Sequence, residues 1–559
     1  MKNWKKLTLG ATALTAVTVL AACSSGSSNS SSSGGSTSAA LQWNLTTPLN
    51  TIDSGIATDT YTNEIIGNIQ SGATRVDKNG DAANELAKAI SVSSDGKTYT
   101  VDLKSGLKWS NGDALTAKDF VYAWQRNADP KTASQYAYLL EAVKNGAAVD
   151  SGKMDKSQLG IKATSDTQFV VTLENPTPYF KFLLAQSVYF PLDQKVVEKY
   201  GKQYATSSDK LVFSGPYMFK STNSWNGSNN NFSIYKNPGY YDASAVKMNE
   251  IDFQVVQDNN TAASLFEQGK LDQTAVGVGT TALWPKYKNN KNVVMEKEAT
   301  TAYMEYNQSG KGATSADAQK ALANTKIRQA FNLGTDREGL VKSVVPVSKA
   351  ATGITPAGMS KTASGEDFAS YAKQGYSYDA SKAATLFKEG LKEVGLSKLT
   401  VTLTTDDTPA AKQSGTYLQQ SLQKALPGLT LNIKTEPFKQ RLNDSQNGNF
   451  DLVLALWGGD YADPSTFLDL FKTGGPQNDG KFSNAAFDAA TKQAETTDAV
   501  TPAKRDADYK AAEATLFENS NVNPLYFRTL AVLQNQKLSG VRFGATGLVY
   551  DFKYAEKAK

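Results

Sequence analysis

The chain has 559 residues, with 59 Lys and Arg against 54 Asp and Glu, a net charge of +5, one cysteine and no histidine. The length allows two or three domains around a large core, and so balanced a charge argues against a nucleic-acid partner. The missing histidine removes Ser-His-Asp and Cys-His catalysis and the commonest zinc ligand, and one cysteine allows no internal disulfide.

The chain opens on the basic MKNWKK and the apolar run LTLGATALTAVTVLAAC, too short to span a bilayer and patterned as a secretory signal over residues 1–22. Its end, Leu20-Ala21-Ala22-Cys23, resembles the bacterial lipobox, which predicts that Cys23 becomes a lipidated N-terminus. A lone cysteine in an exported chain fits that role better than a missing disulfide partner. The Ser/Gly-rich stretch that follows, residues 23–38, reads as a tether between membrane and folded body. The leader takes Lys2, Lys5 and Lys6 with it, leaving a charge of about +2.

Beyond the tether, AISVSSDGKTYTVDL alternates Ile90 and Val92 with Tyr99, Val101 and Leu103 about Asp95-Gly96, the pattern of a hairpin. Thr116 and Asp119 form a capping box before a helix that turns Phe120, Val121 and Trp124 inward. MNEIDFQVV and TAASLFEQGKLD predict a strand, then a helix stopped at Gly269. The stretch from Leu399 to Thr435 reads as strand, helix, strand, a βαβ unit, and FDLVLALW as a strand buried on both faces. The class is therefore α/β with more than one lobe.

The segment LWGGDYADPSTF carries the candidate site. Open α/β sheets bind ligands beyond the carboxyl ends of their strands, where Gly458, Gly459 and Asp460 follow the strand ending at Trp457. Asp463 and Pro464 suit a helix start, which leaves Asp460 without a capping task. Two glycines allow an extended chain to approach and pair by main-chain hydrogen bonds, with an acid at its end for an ammonium group. A tight turn with Asp460 as an Asx residue explains the same composition.

YTVDLKSGLKWSNGDALTAKDFVYAWQR resembles the signature region of extracellular solute-binding proteins of family 5, the oligopeptide-binding receptors of ABC importers. SGPYMFK, NPGYYDASAVKMNEIDFQVVQD, FEQGKLD, KIRQAFNLGTDREGL and GDYADPSTFLDLF resemble later blocks, in family order. The resemblance implies a two-lobed periplasmic-binding-protein-like fold (type II, cluster C) with a smaller additional domain. It places lobe I on 39–57, 190–298 and 530–559, the additional domain on 58–189 and lobe II on 299–529. It implies a monomer without cofactor or metal, held on the outer face of the cell membrane through Cys23, that passes oligopeptides to a permease and its ATPase subunits. Asp460 falls on the aspartate that pairs with the peptide ammonium in peptide-binding members. The backbone partners fall on Leu456 to Gly459 and on Leu49, Asn50 and Thr51, with Trp457, Tyr461 and Tyr136 as pocket walls.

The chain also departs from the family pattern. Gly459 stands where some members carry a disulfide cysteine, and Leu454 where an arginine is expected, so the ligand's carboxyl end has no assigned partner. Three rival readings remain: a receptor for a peptide pheromone, a receptor for a sugar or other solute, and a serine acyltransferase. The last rests on Ser94-Asp95-Gly96-Lys97, Ser224-Trp225-Asn226 and Lys472-Thr473-Gly474, which sit in the wrong local contexts. Gly277 to Ala282 matches a dinucleotide-binding pattern but is not followed by a helical period.

Overall fold

In the computed structural model, residues 40–277, 283–547 and 549–558 are described. Cys23, the signal, all of the tether and all but Gly277 of the 277–282 pattern lie outside them.

Most of the strands belong to one sheet: β1 (Leu41–Leu45), β2 (Tyr217–Met218), β3 (Asn231–Lys236), β4 (Glu250–Val255), β5 (Gln273–Ala275), β6 (Val293–Tyr306), β7 (Lys349–Ala350), β8 (Leu399–Asp406), β9 (Leu429–Glu436), β10 (Leu452–Gly458) and β11 (Val522–Gln534). Their spatial order is β9-β8-β10-β6-β11-β5-β1-β4-β3-β2, with β7 also on β11. The two long strands β6 and β11 run antiparallel through the middle, and their register shifts between Lys297 and Thr301. That irregularity separates a β1–β5 half from a β8–β10 half.

The expected βαβ unit is present: β8 pairs in parallel with β9 along its whole length, joined by the helix Pro409–Ala425. Pro409 fits the first turn of that helix, and Thr408 caps it by accepting from Ala411 N–H. Its buried Ala411, Leu418, Leu422 and Ala425 pack with Leu399, Val401 and Leu431 of the strands. β10 is buried from Leu452 to Ala455, as its unbroken apolar run requires.

Residues 58–189 carry a separate four-stranded sheet built on the hairpin Ala87–Val92 and Thr98–Leu103. Gly96 sits in its turn at φ 71°, a conformation glycine adopts without strain. Tyr99, Val101 and Leu103 are buried as expected, but Val92, the last residue of the edge strand, is 43% exposed. The capping box at Thr116 and Asp119 forms, with Phe120 and Trp124 buried and Val121 only partly so. This part shares one continuous apolar core with the β1–β5 half. Among the described residues no helix is long and apolar enough to cross a membrane.

Candidate functional site

The parallel strands β8, β9 and β10 point their carboxyl ends to one side, where a cavity of about 840 Å³ opens, within the size range of small-ligand sites. β8 pairs with β10 only at Leu403/Leu452 and Thr404/Val453. Beyond that, β10 continues to Gly458 with β6 as its partner, from Tyr306/Leu452 to Thr300/Gly458. Among the described residues the other edge of β10 from Leu454 onward has no paired strand, and Leu456, Gly458 and Gly459 line the cavity. Such an edge presents main-chain donors and acceptors to an extended ligand.

Asp460 stands at the end of this edge. Its carboxylate accepts a 2.6 Å hydrogen bond from Tyr138 Oη, its N–H donates to Thr466 Oγ1 at 3.1 Å, and its carbonyl accepts from Gln186 Nε2. No cation lies within ion-pair distance of it among the described residues. Part of its surface reaches the cavity, yet protein surrounds it closely enough that burial pushes the carboxyl up to about 6, against the lowering effect of the Tyr138 bond. A buried carboxylate without a counter-ion is a costly arrangement that a ligand cation relieves. The other charges on the cavity wall are largely matched, since Arg528 Nη2 donates to Glu298 Oε1 at 2.9 Å.

The loop behind Asp460 is fixed by a buried ion pair. Asp463 accepts from Ser465 N–H at 3.0 Å at the start of the short helix Ser465–Leu468, and Arg505 grips its two oxygens at 2.7 and 2.8 Å. The capping role expected of Asp463 holds. The distant Arg505 partner could not be read from local sequence.

The glycine pair is explained differently from the sequence expectation. Neither Gly458 nor Gly459 has a positive φ, so no left-handed turn demands them. A Cβ on Gly459 would come within 2.9 Å of Met359 Sδ, 3.1 Å of Phe467 and 3.2 Å of Thr466. The space beside Gly459 is filled by the protein's own side chains rather than left for a ligand, although its backbone reaches the cavity. Gly458 is exposed, and a Cβ there meets only Thr300 Oγ1 at 3.3 Å.

Tyr136 lines the same cavity as Asp460, Gly459 and Gly458. Trp457 and Tyr461 face away, into a second cavity of about 400 Å³ that shares the Asp460 wall. Tyr461 is buried there, stacked on Tyr179 at 4.3 Å with the rings 2° from parallel. Leu49, Asn50 and Thr51 line neither cavity. Leu49 is a core residue, Asn50 is exposed, and Thr51 Oγ1 accepts from Asp53 N–H.

Tyr138 and Gln186, the side chains that hold Asp460, were not singled out from sequence. The available signal was the pair of tyrosines in QYAYLL, where Tyr136 alone was picked. The acyltransferase motifs are not assembled. Ser94 to Lys97 is the hairpin turn, and Lys472 is bound to Asp469 and Glu495 at 2.7 and 2.6 Å.

Residues 81–479 match the family described as "Bacterial extracellular solute-binding proteins, family 5 Middle". The chain is 57% identical over 517 residues to the Dipeptide-binding protein of Lactococcus lactis subsp. cremoris (strain MG1363), covering 92% of this chain and 94% of that one. The solved structure of Listeria monocytogenes OppA bound to peptide superposes with a TM-score of 0.76 at 35% identity, covering 93% of this chain and 99% of the other. The peptide-binding structure of the pheromone receptor PrgZ superposes with a TM-score of 0.77 at 32% identity, over 93% and 99%. These relatives are solute receptors rather than enzymes, and the α/β architecture is theirs. With the cavity at the carboxyl edge of its sheet and a profile match over most of its length, the chain belongs to family 5 of the bacterial extracellular solute-binding proteins.

Proposed function

We propose that this protein is the extracytoplasmic receptor of a peptide ABC importer, and that Asp460 binds the free α-ammonium of a peptide laid along the open edge of β10. The observation that carries this reading is the Asp460 carboxylate, without a cation, at the end of an unpaired strand edge on the cavity wall. An ammonium there forms a charge-assisted bond in a partly water-excluded site, and main-chain pairing along the edge is indifferent to side-chain identity. The kinship with a dipeptide-binding protein and a peptide-bound OppA supports the ligand class.

On this reading residues 39–57, 190–298 and 530–559 form one lobe, 299–529 the other and 58–189 the additional domain. The register break after Lys297 and the Glu298/Arg528 pair beside it support a boundary there. Cys23 anchors a monomer to the outer face of the membrane, and the loaded receptor docks on a separate permease.

The test is a thermal-shift screen of the purified protein, unfolded and refolded to strip bound ligand, against pools of short peptides and a set of sugars. Saturation at 100 times Kd adds about 2.7 kcal/mol of stability, a readily measured shift. Peptides alone are expected to raise Tm; a shift with sugars alone overturns the reading. The likeness to PrgZ supports a second reading, a receptor selective for one peptide signal. Competition separates the two, since a random peptide mixture displaces a labelled peptide only from a promiscuous receptor.

A further inference from the structure

Residues 58–189 and 299–529 also meet at a point outside the ligand cavity. The segment from Glu174 to Phe180 reads ENPTPYF, and its two prolines leave it few conformations. It is anchored at its base. Phe180 is fully buried beside Tyr99 and Trp124, and Tyr99 Oη donates to the Thr177 carbonyl at 2.9 Å. Tyr179, next to it, reaches across to the other segment. Tyr461 stacks on its ring at 4.3 Å with the planes 2° apart, and the Arg505 guanidinium lies over the same ring, 5.8 Å from its centroid. Both receiving residues are themselves held. Asp463 accepts from Arg505 at 2.7 and 2.8 Å, and Ser465 Oγ donates to Tyr461 Oη at 3.3 Å. A second contact lies beside this one: a Cβ on Gly96 would come within 2.8 Å of Val500 Cγ1 and 3.1 Å of Pro176 Cβ, so the hairpin turn, Pro176 and Val500 come together there.

These contacts belong to the chain alone. Tyr179, Tyr461, Arg505 and Val500 do not line the main cavity. Among the described residues of 299–529, Tyr461 is the only buried one that joins the apolar core shared by residues 58–189 and the β1–β5 half. Strand pairing joins the two halves of the sheet through β6 and β11, whose register shifts after Lys297. A contact of few side chains across such a junction can part and re-form. Stacked rings and a guanidinium over a ring each add a modest, directional attraction to it.

We propose that Tyr179 is a latch: its ring, seated on Tyr461 and Arg505, sets the balance between a parted and a closed form, and so fixes the affinity for the ligand without touching it. Tyr179 is a positioning residue in this role, since it acts through the loop that carries Asp460. Closure does not wait for the ligand, because the chain itself fills the seat. A receptor that binds only when closed loses affinity in proportion to the closed molecules it loses, whatever the ligand's side chains. The effect on affinity rests on the peptide reading; the latch itself is a contact within the chain.

The experiment compares the mature protein, stripped of ligand by unfolding and refolding, with Y179A, Y179F and V500D, and the melting temperature of each is recorded. X-ray scattering of the empty proteins gives the radius of gyration, and calorimetric titration with di-, tri- and tetra-alanine at pH 5 and pH 7 gives the affinity. Y179A and V500D should be more extended than the wild type and should bind the alanine peptides roughly three- to tenfold more weakly, by the same factor at both pH values. Y179F keeps the stacked ring and should match the wild type in both readings. Val500 is 52% exposed, so V500D tests the same seam with little risk to folding.

A Y179A variant that melts normally and keeps the wild-type affinity and radius of gyration overturns the proposal and leaves the peptide reading standing. Should Y179A melt low, V500D decides alone, and wild-type values in it overturn the proposal. Y179F behaving like Y179A overturns it too, because the hydroxyl and not the ring then matters. A loss in Y179A that differs between pH 5 and pH 7 also overturns it, because Tyr179 then acts on the charge of Asp460 rather than on closure. If the wild type binds neither these peptides nor the pools above while the scattering differences appear, the peptide reading fails and the latch stands.

Discussion

At the scale of a single residue, the account turns on Asp460. Replacing it with alanine removes one partner of a desolvated ammonium–carboxylate pair, so affinity for a free peptide should fall by about 3 to 5 kcal/mol. The folded state should lose little, because Asp460 has no counter-ion of its own to orphan. Burial pushes the carboxyl up to about 6, and only its ionised form attracts an ammonium. Affinity should therefore be roughly tenfold weaker at pH 5 than at pH 7, then decline again above about pH 8 as the peptide amine loses its proton. Titration across this range reads the profile; a flat one would show that Asp460 does not take part.

At the scale of elements, β10 and the loop after it deliver the site, and different residues there do different work. G459A should lower Tm clearly, by about 1 to 3 kcal/mol of overpacking against Met359, Phe467 and Thr466. G458A meets only Thr300 and should be close to neutral in stability. Asp463 lines neither cavity, yet D463A should cost about 3 to 5 kcal/mol by leaving Arg505 buried and unpaired. Denaturant unfolding of the three variants gives the order.

Local pattern made much of this scale legible. The capping box at Thr116, the hairpin about Gly96, the parallel unit β8 to β9 and the buried run of β10 all follow from periodicity and capping chemistry within a few residues. The position of Asp460 beyond a strand's carboxyl end was legible for the same reason. What surrounds it was not: Tyr138, Gln186 and Arg505 reach it or its loop from distant parts of the chain, and no local period records such contacts. The glycines show the same limit. Their small size was read as room for an approaching chain or a tight turn, but beside Gly459 the space is filled by the side chains of Met359 and Phe467, which only the tertiary neighbours decide.

At the scale of the whole molecule, residues 58–189 and the loop 459–468 meet through the Tyr138/Asp460 bond, the Gln186 bond to the Asp460 carbonyl and the Tyr179/Tyr461 stack. The acid proposed to take the ligand amine is thus also part of the seam between chain segments far apart in sequence, and on that proposal ligand capture is tied to their docking.

The molecule also buries several acids that prefer their protons. Burial pushes Glu296 up to about 7, Glu305 to about 8 and Asp479 to about 6. The folded state holds these protons where the unfolded chain has lost them, so their contribution is full below about pH 4 and is lost as pH rises towards 8. Glu85 is held down to about 2 by Arg75 and Lys553 against its desolvation, and it stays ionised throughout this window. The receptor should therefore melt at a higher temperature at pH 5 than at pH 8, and calorimetric scans at the two values would show no such preference for pH 5 if these acids were solvated.

The most direct measurement is calorimetric titration of the ligand-stripped protein with one short peptide in two forms, free and N-acetylated. The account predicts that the free peptide binds and the acetylated one, lacking the charge that Asp460 pairs with, does not. Equal binding of both forms would contradict it.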